Sequence, residues 1–240
     1  MKVVYLTKTE IEREIANILI GKVKENPSCV LGLATGSSPL GIYKNLIEDC
    51  KNGEVSFKNV TTFNLDEYLG LDGNHDQSYR YFMNVNLFDH IDINKVNTHV
   101  PSGFVGSDEE ASLYDVEIAS KGGIDIQLLG LGSDGHIAFN EPGTPFNSLT
   151  HIAELTEQTI TDNARFFERV EDVPTKACTM GLQSIMNAKK IVLIALGKNK
   201  IEAVNKLIHG EIDIIWPCTI LKNHPDVTIC VDSDLMVAAL

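Results

Sequence analysis

Apolar runs alternate with helix-patterned segments along the whole chain. Continuous runs at KVVYL (2–6), CVLGLA (29–34), VTTFNL (60–65), IDIQLLG (124–130), KIVLIAL (190–196) and DVTICV (226–231) predict strands. Several are unbroken Val/Ile/Leu stretches, the pattern of parallel strands covered on both faces. Between them, apolar residues recur at helical spacing over roughly 8–24, 39–50, 78–88, 107–121, 176–188 and 198–208. THIAELT (150–156) predicts one more strand, and 160–168 one more helix. This alternation predicts an α/β fold: a doubly wound, mostly parallel, Rossmann-like sheet with helices on both faces. No repeat or low-complexity linker divides residues 1–240, so a single domain is expected.

Sheets of this kind bind ligands beyond the carboxyl ends of their strands. The residues that follow the predicted strands therefore carry the chemistry. They are TGSSP after 29–34, DEY after 60–65, GSDGH after 124–130 and GKNK after 190–196. Four strands thus deliver small, acidic, His and Lys residues to one edge.

In GLATGSSPLGIYKNLI (32–47), Ser38 is placed to cap a helix and Pro39 to occupy its first position. The amides of Gly36, Ser37 and Ser38 would then face outward at the positive end of the helix dipole, as a cradle for phosphate. Gly36 and Gly41 have Walker A spacing, but Ile42 and Tyr43 stand where Lys and Ser/Thr are needed. GLGSDG (130–135) fits the dinucleotide fingerprint, with Glu154 at a distance that suits a ribose contact. The segment that follows, HIAFNEPGTPF, is broken by Pro142, Gly143 and Pro145 and does not predict the required crossover helix. An acid–base reading uses the side chains instead, with His136 flanked by Asp134 and Glu141. The same three could ligate a metal, but HExxH is absent and no second His has ligand spacing. Asp66 and Glu67 are candidate general bases. Arg165, in NARFF, and Lys198 or Lys200, in GKNK, are candidate phosphate ligands.

Composition narrows the partners. Hydrophobic residues make up 43% and charged residues 22%, as in ordinary globular proteins. The formal charge of −13 argues against nucleic acid, which needs a basic face. A small anion must then be held by a few placed cations and amides. The five cysteines are odd in number and lack CxxC spacing, so free thiols are expected. No apolar run approaches a membrane span, and the N-terminus lacks signal-peptide character, which leads to an expectation of a cytoplasmic protein.

Taken together, LGLATGSSPLGIY, FNLDEYLGL, LLGLGSDGHIAFNEPG, NARFF and ALGKNK resemble the glucosamine-6-phosphate deaminase family, in order and over nearly the whole chain. DGHIAFNEP is the most specific string. The related 6-phosphogluconolactonases share the fold and a DGH element but lack the pairing of FNxDEY with FNEP.

The resemblance implies isomerisation and deamination of glucosamine 6-phosphate to fructose 6-phosphate and ammonia, without a redox or metal cofactor. It implies that His136 opens the sugar ring, assisted by Asp134 and Glu141, and that Asp66 moves the C2 proton to C1. It places the phosphate on Gly36, Ser37 and Ser38, clamped by Arg165 and Lys200, under a mobile lid around 155–175. Larger bacterial members are hexamers activated by N-acetylglucosamine 6-phosphate, through Arg and Lys in the segment after NEP. That segment here, GTPFNSLTHIAEL, has neither, and the chain ends without their C-terminal extension. A non-allosteric enzyme, and a monomer rather than a hexamer, is therefore expected. A lactonase and a non-catalytic sugar-phosphate sensor are the alternatives.

Overall fold

Each apolar run read from the sequence forms a strand in the computed structural model, which describes residues 1–164 and 167–238. The strands β1 (Lys2–Leu6), β2 (Val30–Leu33), β3 (Thr61–Asn64), β6 (Ile126–Leu129), β9 (Lys190–Ala195) and β10 (Val227–Asp232) join with the two-residue β5 (Thr98–His99). They make a seven-stranded sheet in the order β1-β10-β9-β6-β2-β3-β5, parallel throughout. The central strands β2 and β6 are buried at every position, which explains their uninterrupted apolar character.

The helices α1 (Lys8–Glu25), α2 (Leu40–Lys51), α3 (Tyr79–Asn86), α4 (Asp108–Ser120) and α7 (Ile201–His209) connect these strands. On α1, Ile11, Ile15, Ala16, Leu19, Ile20 and Val23 share one buried face. Its start is fixed by a capping box: the Thr7 hydroxyl accepts from the Glu10 amide, and the Glu10 carboxylate accepts from the Thr7 amide at 2.9 Å. Removing such a cap typically costs about 1 kcal/mol.

A second sheet is antiparallel, in the order β4-β8-β7, from β4 (Asp66–Tyr68), β8 (Lys176–Thr179) and β7 (His151–Glu154). It has its own apolar cluster of Tyr68, Phe139, Ala153, Leu155 and Ala177. β7 is an outer strand, and the amide of Ile152 within it and that of Thr150 just before it are occupied by acids from α4. The Ile152 N–H donates to Asp108 at 2.9 Å and the Thr150 N–H to Asp115 at 2.8 Å.

Four expectations need correction. Residues 176–188 are not one helix: 176–179 is the middle strand of the small sheet, and only α6 (Leu182–Met186) is helical. A short apolar run buried between two strands carries no periodicity that separates it from a helix. Asp66 and Glu67, expected just past a strand end, open a second strand, β4. The helix expected near 160–168 is α5 (Glu157–Asn163), capped by Thr156, and residues 165–166 lie outside the described residues. Finally, Ser38 does not cap α2. Pro39 is the cap residue, and its carbonyl accepts from the Tyr43 N–H at 2.9 Å.

Among the described residues no helix is long and apolar enough to cross a membrane. All five cysteines are free thiols.

Candidate active site

The strand order places the site. From β2 the chain runs outward to β3 and β5, then returns to the other side of β2 for β6, β9 and β10. The winding therefore reverses between β2 and β6, where a crevice opens beyond the carboxyl ends of a parallel sheet. The Gly36–Ser38 loop follows β2, and the 130–141 loop follows β6. A cavity of about 590 Å³ lies there. Its wall includes Gly36, Ser37, Ser38, Asp66, His136 and Lys200, six of the residues read from the sequence. Lys198 does not reach it.

Asp66 is brought in by a sharp transition. β3 ends at Asn64, and one residue later the chain enters β4, in the other sheet. Asp66 is 6% exposed, and no described residue donates a hydrogen bond to its carboxylate. Burial, helped by the charge of Glu67, pushes its pKa up to about 8. Glu67 is also buried but is well served. Its carboxylate accepts from the amides of Tyr68 (2.9 Å), Tyr79 (2.8 Å) and Arg80 (3.0 Å). The last two open α3, so Glu67 ties β4 to a helix N-terminus that favours negative charge.

The 130–141 loop explains its own glycines. A Cβ on Gly132 would lie 2.4 Å from His136 Nδ1, so the imidazole occupies the space a side chain would need. Gly135 has φ of +83° and backs onto Trp216. At both glycines the protein's own side chains fill the space a pyrophosphate would use, and Glu154, which has the spacing of a ribose acid, pairs with Lys176 across β7 and β8 at 3.1 Å. The end of the loop is locked onto β8. Phe139 N–H donates to the Thr179 hydroxyl at 3.1 Å, and the buried Asn140 amide donates to the carbonyls of Ile137 (2.9 Å) and Met180 (2.8 Å). Between them Ala138 adopts φ of +53°, a left-handed conformation costing roughly 1–2 kcal/mol outside glycine.

His136 Nδ1 lies 2.7 Å from Asp134 Oδ1 and 3.7 Å from Glu141 Oε2. The shorter contact is off the N–H axis, so Nδ1 has no aligned hydrogen-bond partner, and neither has Glu141 Oε2. The Asp134 carboxylate also accepts from the His136 backbone N–H at 3.1 Å. Burial raises the Asp134 pKa, but the imidazole and that amide more than offset it and hold it down at about 2. Asp134 and Glu141 stand behind the ring rather than on the cavity wall.

Donor atoms of Asp134, His136 and Glu141 converge within 4.8 Å, close enough for a metal to be weighed. A tetrahedral ion with bonds of about 2.0–2.2 Å holds its ligand atoms roughly 3.3–3.6 Å apart. The 2.7 Å separation suits a direct imidazole–carboxylate contact, and Nδ1 and Oε2 are both sealed from solvent. The set fits proton transfer better than ligation.

Arg165 lies outside the described residues. Sequence reading missed Tyr68, Tyr79, Phe139, Thr159 and Phe167, all of which line the cavity. The aromatic ones form a continuous cluster: Tyr68 meets Tyr79 at 4.8 Å and Phe167 at 5.8 Å, and Phe139 stacks on Tyr79 at 6.1 Å. Tyr68 in DEY, Phe139 in HIAFNEP and Phe167 in NARFF were the available signals for it.

Residues 7–230 match the family described as glucosamine-6-phosphate isomerases/6-phosphogluconolactonase. The chain is 54% identical over 226 residues to a glucosamine-6-phosphate deaminase of Thermoanaerobacter pseudethanolicus, covering 94% of this chain and 89% of that one. It is 53% identical to one from Clostridium perfringens, covering 94% and 93%. Among solved structures, a monomeric glucosamine-6-phosphate deaminase superposes with a TM-score of 0.96 at 44% identity, over 99% of both chains. A 6-phosphogluconolactonase from Trypanosoma cruzi superposes at 0.79 with 20% identity, over 98% of this chain and 96% of that one, a likeness of fold alone. The chain belongs to the glucosamine-6-phosphate isomerase/6-phosphogluconolactonase family.

Proposed function

We propose that this enzyme converts glucosamine 6-phosphate and water to fructose 6-phosphate and ammonia. One observation carries the reading: a buried, donor-free carboxylate, Asp66, and a carboxylate-backed imidazole, His136, face one cavity beside an amide-rich loop and a lysine.

The reaction needs two kinds of proton transfer and one anchor. His136 takes the proton from O1 and returns one to O5, which opens the ring to the aldehyde. Asp134 and Glu141 steady the imidazolium that forms in between. Asp66 then removes the C2 proton, giving an enolamine, and delivers it to C1. The resulting C2 imine adds water and releases ammonia, leaving the ketone. A raised pKa suits Asp66, since it must take a proton and give it back. The phosphate sits on the Gly36, Ser37 and Ser38 loop with Lys200 and Arg165 as cations, and its binding energy positions the reacting carbons. The segment 155–175 serves as a lid. The chemistry calls for no metal or redox group.

The segment 143–155 has no Arg or Lys. The enzyme therefore works without an N-acetylglucosamine 6-phosphate effector, as a monomer. Sigmoidal kinetics abolished by that compound would overturn this.

The deciding experiment is a coupled assay for fructose 6-phosphate and ammonia in EDTA, with 6-phosphogluconolactone as parallel substrate. Equimolar release of both products supports the reading. Lactone hydrolysis alone would reassign the chemistry, activity lost in EDTA and restored by metal would restore the metal reading, and silence on both substrates would favour a sensor.

A further inference from the structure

The carboxylate of Glu141, which backs His136, is held from outside its own loop. Its Oε1 accepts a 2.6 Å hydrogen bond from the hydroxyl of Thr159, which is 4% exposed, lines the cavity and sits on α5. Thr156 Oγ1 donates to Thr159 Oγ1 at 3.1 Å, and the Thr156 amide and hydroxyl reach Oε1 only at 3.4 and 3.5 Å. Thr156 is itself the cap of α5. A chain of contacts therefore runs from the helix cap through Thr159 and Glu141 to His136 and Asp134. Thr159 provides the one short donor in it.

Geometry makes that donor consequential. With Oε1 fixed by Thr159, the other oxygen, Oε2, points at His136 Nδ1, 3.7 Å away, and finds no other partner. Rotation of the carboxylate would carry Oε2 away from the ring. α5 in turn is held by Ile160, and the segment after it by Phe167, both packed against the Tyr68–Phe139 cluster of the small sheet.

We propose that Thr159 is a positioning residue for the His136–Glu141 pair, so that the acid–base group is set correctly only while α5 is docked on the small sheet. The kinetic part of this inference rests on the deaminase reading; the geometric part does not.

Three variants test it: Thr159→Val, which keeps the shape and removes the hydroxyl; Thr159→Ala, a second hydroxyl-free variant should Val disturb folding; and Thr159→Ser, which keeps the donor. Loss of a hydrogen bond to a charged group predicts that kcat falls about 10- to 100-fold in Val and Ala, with KM within about threefold of wild type. Ser should recover most of kcat. In parallel, NMR titration of the His136 ring in the substrate-free protein should move in Val and Ala and return in Ser. The carboxylates facing that ring are Asp134 and Glu141, and the nearby Cys218 thiol senses Asp134. Hydroxyl-free variants with unchanged kcat, a Ser variant as poor as Val, or an unmoved His136 titration would each overturn the proposal. If wild type released no fructose 6-phosphate, the functional reading would fail, and the titration would still decide Thr159.

Discussion

Two aspartates at this site show how one side chain is set to opposite tasks. Asp66, on the short strand that leaves the main sheet, is buried beside another acid and has no donor, so its pKa rises to about 8. Asp134, in the loop after β6, is also partly buried but touches an imidazole at 2.7 Å and accepts a backbone amide, so its pKa falls to about 2. The first can exchange a proton near neutrality. The second stays an anion throughout and can only orient and stabilise charge. Burial alone does not separate them; the presence of donors does.

The strongest way to break this contrast is Asp66→Asn. It removes the proton acceptor with little change of shape, so turnover should fall by about 10³-fold or more while KM stays within a fewfold. Unchanged turnover would remove Asp66 from the role. Asp134→Asn should cost less, about 10²-fold in kcat, because the imidazole remains but loses its anionic partner. Steady-state kinetics on both variants decides the order. Lys200→Ala should act on binding, raising KM roughly 10- to 100-fold if its contact with phosphate is charge-assisted; an unchanged KM would remove Lys200 as an anchor.

Two measurements sharpen the contrast. Since Asp66 must be ionised to act, kcat/KM should rise with pH, nearly tenfold per unit, until it levels near pH 8. Glu67→Gln, which takes away the neighbouring charge, should move that rising limb to lower pH. The same shift acts on stability. An acid whose pKa is higher in the folded state than in the unfolded chain binds more protons when folded. Asp66 therefore destabilises the fold progressively as pH rises from about 4 to about 8. Asp66→Asn should be more stable than wild type at pH 8, by about 5 kcal/mol at most, and should lose that advantage near pH 4. Denaturant titration at the two pH values checks the sign.

Much of this was legible from residue order. The parallel strands announced themselves because burial on both faces demands unbroken apolar runs, and Asp134, His136 and Glu141 lie within one loop. Of the small sheet only β7 was legible, as THIAELT. β4 has three residues and β8 four, too few to show a period, and their partners are far away in sequence. Ala138 carries no sign of its left-handed backbone, which is imposed by the Asn140 clamp onto Met180. Thr159 reads as an ordinary helix residue until the fold brings it to Glu141.

The acids on α4 that occupy the amides of Ile152 and Thr150, in and just before β7, bear on association. An uncovered outer strand is a template onto which another chain can add a strand, and unwanted growth of sheets between molecules begins that way. Here a newcomer would have to displace Asp108 from Ile152 and Asp115 from Thr150 before pairing with either amide. It would also have to approach an anionic helix whose first turn adds Glu109 and Glu110. At this edge of the small sheet, therefore, adding a strand through the backbone would mean both breaking existing hydrogen bonds and bringing a chain up against concentrated negative charge.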